Sequence, residues 1–171
     1  MQSREKSTET IITLTKRNGI SMMEFEYVFG YSASVQEMYQ VGGPYGHRRI
    51  ARCGPGIISG PRLNGTVLEG AHDWVLDGPD GWGRIDVRAQ FRTDDNAIIY
   101  AQYLGVVEYN EKYQEAVSSK GETAFEDIYF RSTPRFETGD PLYAWLTQSV
   151  FVGRGRFLPG RTVSWEIYRV T

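Results

Sequence analysis

The chain is poor in the residues that build metal and redox sites. Its 171 residues include one cysteine, Cys53, and two histidines, His47 and His72. A lone cysteine closes no internal disulfide, so nothing points to an oxidising compartment. No Cys/His set has zinc spacing and no Asp-rich calcium loop is present, so no metal is expected. Long apolar runs are also missing: none approaches the ~20 residues of a membrane helix. The opening stretch, MQSREKSTETIITLTKRNG, is charged and hydroxyl-rich and lacks the apolar centre of a secretory leader. Neither sign of charge dominates; the net charge of −2 argues against a general nucleic-acid binder. These absences predict a cytoplasmic protein with no membrane or nucleic-acid partner.

Cofactor and nucleophile motifs are equally scarce. GGPYG (42–46) and GRGR (153–156) do not sit between a buried strand and a helix, as a phosphate-cradling loop must, so no nucleotide cofactor is expected. Around Ser32 the chain reads GYSAS rather than G-x-S-x-G, and no helix follows, which leaves a hydrolase triad unsupported.

Aromatics and glycine are abundant: 11 Tyr, 8 Phe, 4 Trp and 19 Gly. Aromatic residues favour strands and supply amphipathic walls for pockets, and many glycines fit many turns. The length suits one domain able to bury roughly two-thirds of its unfolded surface. Residues 1–22 read as an extension or edge strand, with one β-like run at Thr10–Lys16, and 23–171 as a single domain. In MEFEYVFGY, Phe25, Tyr27, Phe29 and Tyr31 fall on one face at period two. HRRIAR reads as a short strand, and the Gly/Pro-dense CGPGIISGPRLNGTVLEG as alternating turns and short strands. The clearest pattern is a hairpin over Trp82–Gly105, where Ile85, Val87, Ala89 and Phe91 alternate with polar residues around the turn Thr93–Asn96. Asn110–Ser119 is the one predicted helix, with Asn110 as N-cap and Gly121 as stop. Strand resumes over Ala124–Arg131, STPRFETGDP reads as loop, and Leu142–Gly153 and Arg161–Val170 close the domain. Eight to ten strands joined by short turns predict an all-β barrel or sandwich.

The order of motifs from Phe25 onward resembles domain-of-unknown-function family 3237. The stretches that carry it are HRRI (47–50), GPRLNGTVLEGAHDW (60–74), GRIDVRAQFRTDD (83–95), IIYAQYLG (98–105), YFRSTPRFET (129–138) and YAWLTQSVFVGRG (143–155). Asn96 stands where the family's turn usually ends in Gly, and Asn also tolerates positive φ. The resemblance implies a calycin-like, closed antiparallel barrel with a central cavity, assembled as a homodimer; the family itself carries no assigned reaction.

In a small barrel alternate residues point inward and surround side chains or one small ligand. Three polar sets are candidates for such a lining. Arg84, Asp86 and Arg88 share a strand face, which alternation alone turns toward solvent; the family motif includes Asp86 and Arg88, which favours a lined cavity. Asp73 stands beside Trp74, where apolar surroundings would raise a carboxyl pKa, although an Asp there also bonds backbone amides. His72 would point to the opposite face from Asp73. Tyr129, Arg131 and Thr133 share a face, and an inward arginine would hold a carboxylate or an enolate oxygen, while an outward one would pair locally. Tyr27, Tyr100, Tyr143 and Trp145, with Trp74, are candidate aromatic walls for substrate, against a core-packing alternative.

Two functions fit. One is a cofactor-independent acid–base enzyme (isomerase, cyclase or dehydratase type) acting on a small carbonyl compound, with Asp86 or Asp73 as base, Arg88 or Arg131 at the oxyanion, and Tyr100 or Tyr129 as acid. The other is a non-catalytic small-molecule carrier using the same cavity. A solidly filled barrel serving only as an interaction module is the plainest third possibility.

Overall fold

Alternation around the turn Thr93–Asn96 builds the longest hairpin, and the rest of the sheet grows from its two edges. The computed structural model describes residues 22–171, so the predicted run at Thr10–Lys16 lies outside the described residues. These form β1 (Phe25–Gly42), β2 (His47–Ser59), β3 (Gly65–Val67), β4 (Ala71–Asp77), β5 (Trp82–Thr93), β6 (Ile98–Glu108), α1 (Glu111–Ser119), β7 (Phe130–Glu137), β8 (Phe151–Leu158) and β9 (Thr162–Val170). A 3₁₀ turn covers Pro141–Leu146.

All pairings are antiparallel, and they form a ring: β1 pairs with β9 on one side and β2 on the other. Between β2 and β5 the wall is made by β3 and β4 end to end. The first spans Gly56–Ile58 and Phe91–Thr93, the second His47–Cys53 and Gly83–Arg88. The structure is the expected all-β barrel with one short helix. Asn110 caps α1 by accepting the Tyr113 amide at 3.0 Å, and Gly121 N–H closes the far end on Ala116.

Packing divides the barrel along its axis. At one end Phe29, Phe91, Phe136 and Phe151 meet largely edge to face, with Leu63, Ile99 and Leu146 sealed among them. The 3₁₀ turn closes this end, with Trp145 edge-on to Phe151. The other end is closed by α1, whose Tyr113 packs on Tyr109 and Phe157. Between the two ends lies a mostly apolar middle that holds Asp73, Tyr31 and Tyr103.

Four segments differ from the sequence expectation. A register shift between Tyr27 and Phe29 breaks the single aromatic face: Val28 and Phe29 are both buried, Phe25 and Tyr27 face out, and Tyr31 faces in. Such an extra residue moves everything beyond it to the other side of the sheet. The HRRIAR strand continues to Ser59 through its Gly and Pro residues. β7 begins only at Phe130 and runs through Pro134 into the supposed loop. Pro134 is tolerated because β8 pairs with β7 only at Arg131 and Ser132, so its missing N–H faces no ladder. Leu142–Leu146 is a 3₁₀ turn because Asp140 accepts the Leu142 amide at 2.9 Å and Pro141 starts the turn, leaving β8 to begin at Phe151.

Candidate functional site

Inward alternation on β4 turns Ala71, Asp73 and Val75 to the axis and leaves His72, Trp74 and Leu76 outside. Asp73 therefore faces a small cavity of about 50 Å³ with Tyr31 of β1, Cys53 of β2, Tyr103 of β6 and Trp165 of β9 around it. Small side chains, Ala33, Ala71 and Ala89, leave the space open. The glycines of GRGR serve the same wall. Gly153 and Gly155 face inward because Trp165 and Phe130 lie across them; a Cβ on Gly155 would stand 2.7 Å from the Phe130 ring.

Asp73 is crowded by protein yet still partly reached by solvent. Loss of water raises its carboxyl to about 7; the Asp86 amide and, more weakly, the Arg49 guanidinium pull the other way. The ladder between β4 and β5 lapses between the pairs Asp73–Val87 and Leu76–Arg84. There Oδ1 of Asp73 accepts the Asp86 N–H at 3.0 Å. Tyr31 and Tyr103 are buried with interacting hydroxyls, and burial holds both well above the ordinary phenol range. Both stay protonated at neutral pH. Burial also pushes the Cys53 thiol up to about 12, with the Asp73 charge adding to it, so at neutral pH it is no nucleophile.

Toward the helix end, Arg49 of β2 also points inward. Its Nε and Nη2 grip Asp77 at 2.6 and 2.7 Å, and Nη2 also donates to the Tyr109 hydroxyl at 2.9 Å. The Tyr109 hydroxyl in turn donates to Asp77. Those hydrogen bonds hold the Asp77 carboxyl below the usual carboxylate range against the opposing effect of burial.

Of the residues singled out from sequence, the structure brings only Asp73 into this cavity. Asp86 and Arg88 pair with each other at 2.8 Å on the outer wall, where Arg88 also lies over the Trp74 ring at 5.2 Å. This is the solvent-facing arrangement that alternation alone implied, and Asp86 reaches the cavity wall only through its amide. Tyr129, Arg131 and Thr133 share a face as expected, but it is the outer one. Arg131 sits 5.0 Å over the Tyr129 ring and donates to the Phe130 carbonyl. With Phe25, Leu104, Arg154 and Tyr168 they line an open outer groove of about 800 Å³. Tyr27 packs edge-on to Tyr168 outside, and Tyr100 is on the outer face of β6. Tyr143 and Trp145 lie at the packed end, Tyr143 bonded to Asp95 at 2.8 Å and Trp145 beneath Arg62 at 4.5 Å.

Sequence reasoning passed over Tyr31, Tyr103, Cys53 and Arg49. Tyr103 was findable, since it alternates in phase with Ile99 and Ala101 on the buried face of the hairpin. Tyr31 was hidden by the bulge, and Arg49 stands in HRRIAR, where nothing local says which arginine faces in.

Comparison with known proteins follows the same outline. A family model described as protein of unknown function (DUF3237) matches residues 23–170. A UPF0311 protein of Clostridium acetobutylicum is 32% identical over 154 residues, covering 89% of this chain and 97% of that protein. The crystal structure of a conserved protein of unknown function from Rhodopseudomonas palustris superposes with a TM-score of 0.79 at 29% identity, covering 89% of this chain and 99% of that one. A protein from Penicillium herquei described as an enzyme shares the fold alone, with a TM-score of 0.62 at 19% identity over 90% of this chain and 99% of that one.

Proposed function

This chain belongs to the family of unknown function DUF3237, and we propose that it is a cofactor-independent acid–base enzyme moving a proton next to the carbonyl of a small molecule. The observation that carries this reading is Asp73: a crowded carboxyl held near neutrality, facing two protonated tyrosines in one cavity. A general base works best with its pKa near the working pH. Asp73 takes a proton from the carbon beside the carbonyl. Tyr103 or Tyr31 donates a hydrogen bond to the oxygen as it gains enolate charge, the task that Arg88 and Arg131 would perform were they inside. In an isomerisation the proton returns from Asp73 to a different carbon; in a cyclisation the enolate carbon bonds to a second carbonyl carbon, whose oxygen takes up the proton; in a dehydration the proton leaves with the departing hydroxide as water. At about 50 Å³ the cavity admits a reacting carbonyl and its immediate neighbours.

Proton exchange tests this without knowledge of the natural substrate. In D₂O, wild type is expected to accelerate α-hydrogen exchange of acetone, followed by NMR, and Asp73→Asn to lower that rate by about 10²–10⁴-fold. No acceleration, or equal rates for both proteins, sinks the proposal. The apolar share of the lining (Ala33, Val67, Ala71, Val87, Ala89) supports carriage as the second reading. A carrier would bind the ketone without exchanging it. The same proposal includes a homodimer covering the outer groove, supported by the exposure there of Phe25 and Leu104.

A further inference from the structure

A second pocket, of about 260 Å³, opens at the helix-capped end of the barrel between α1, β1 and the β8–β9 turn. Val35, Met38, Ala116, Val117, Phe157 and Leu158 make its apolar body. Its polar groups are all of one sign. Arg49, Lys120 and Arg161 line it, and no acidic residue does.

Three features of these cations point to a ligand. Arg49 spends Nε and Nη2 on Asp77 and Tyr109, while its Nη1 has no hydrogen-bond partner among the described residues. Lys120 and Arg161 form no ion pair among the described residues. Both also occupy left-handed backbone, with φ of 54° and 62°. At a helix end that position ordinarily goes to glycine, which adopts it without the steric cost a side chain incurs. At the end of α1 Lys120 holds that place with Gly121 following it, whereas in the β8–β9 turn Gly160 (φ 78°) and Arg161 are both left-handed, as the tight turn between the paired Leu158 and Thr162 requires. The turns are tied together by the Gly160 N–H bonding to the Lys120 carbonyl at 3.2 Å, which keeps two like charges at one rim. Lys120 and Arg161, exposed and without ion-pair partners among the described residues, stand with the Asp77-paired Arg49 beside an apolar hollow, and together they make a cup for an anion carried on a hydrocarbon or aromatic body.

We propose that this pocket binds a small monoanion with an apolar body, of the carboxylic-acid class, its charge held by Lys120 and Arg161 at the rim and by Arg49 Nη1 at the floor. The inference does not depend on the reaction assigned to Asp73. Octanoate is the probe, with octanol as its neutral counterpart, in calorimetric titrations of the full chain. Lys120→Gly and Arg161→Gly remove the charges while suiting the left-handed backbone, so the double variant retains the fold, checked by its thermal melt.

Wild type is expected to bind octanoate saturably and in preference to octanol. The double variant should bind it at least about tenfold more weakly, and Asp73→Asn should bind it as wild type does. The proposal is overturned if octanoate shows no saturable binding, if octanol binds as tightly, or if the folded double variant keeps wild-type affinity. A loss confined to Asp73→Asn would move octanoate to the inner cavity and overturn it equally.

Discussion

Crowding lifts the Asp73 carboxyl to about 7, so folding takes up a proton between the ordinary carboxyl pKa and that value. In this window the native state binds more protons than the unfolded chain, and stability falls as pH rises. The penalty is absent below about pH 4 and complete above about pH 7, with an upper bound of about 4 kcal/mol. Asp73→Asn keeps an oxygen for the Asp86 amide and abolishes the charge. It should raise the melting temperature at pH 8, leave it little changed at pH 4, and flatten the slope between. Equal melting curves at pH 8 would mean that Asp73 is not held near neutrality. The residue was legible as a candidate because an Asp beside a Trp in a strand invites desolvation. Its partners were not, since Tyr31, Cys53 and Tyr103 meet it only through strand pairing. Asp86 and Arg88 show the converse: alternation with Ile85 and Val87 located their face correctly, and motif membership drew attention inward.

Elements were legible where a local rule was undisturbed. The β5–β6 hairpin and α1 follow from alternation and capping, which act over a few residues. The reading failed where one residue changes phase or where a breaker has its N–H on an unpaired side, as at Val28 and Pro134. The 3₁₀ turn is a case of chemistry overlooked, because Asp140-Pro141 is a start signal in plain view. Glycine on β8 has a packing role that composition alone cannot disclose. Gly155→Ala should cost about 1–3 kcal/mol, since its new methyl meets the buried Phe130 ring. Gly139→Ala, with nothing within 4 Å, should cost close to nothing. Urea unfolding with unchanged slope measures both, and equal midpoints would show that the Phe130 wall yields freely.

At the scale of the whole molecule, the ring pairs β1 with β9 only as far as Ser34, so Val35–Gly42 of β1 has a strand partner on the β2 side alone. The homodimer we propose forms face to face, through side chains of the outer wall around the groove. Leu104, 57% exposed in the groove, is the natural anchor. Leu104→Asp should convert a dimer to a monomer in sedimentation velocity without changing the melt; a monomeric wild type removes the dimer altogether. No helix among the described residues is long and apolar enough to cross a membrane. Strand count and turn spacing left barrel and sandwich both open, and the family resemblance pointed to closure; the sharing of one gap by β3 and β4 was not foreseeable, because it depends on the lengths of β2 and β5.

The ring is sealed where β1 meets β9, and Glu24 and Thr171 exchange backbone hydrogen bonds at 3.1 and 3.0 Å beside that seam. A tether pulled at these two residues would load the seam one rung at a time, as a zipper opens, rather than shearing many rungs together. This fold should therefore yield at low force when stretched along that axis, however firmly it resists heat.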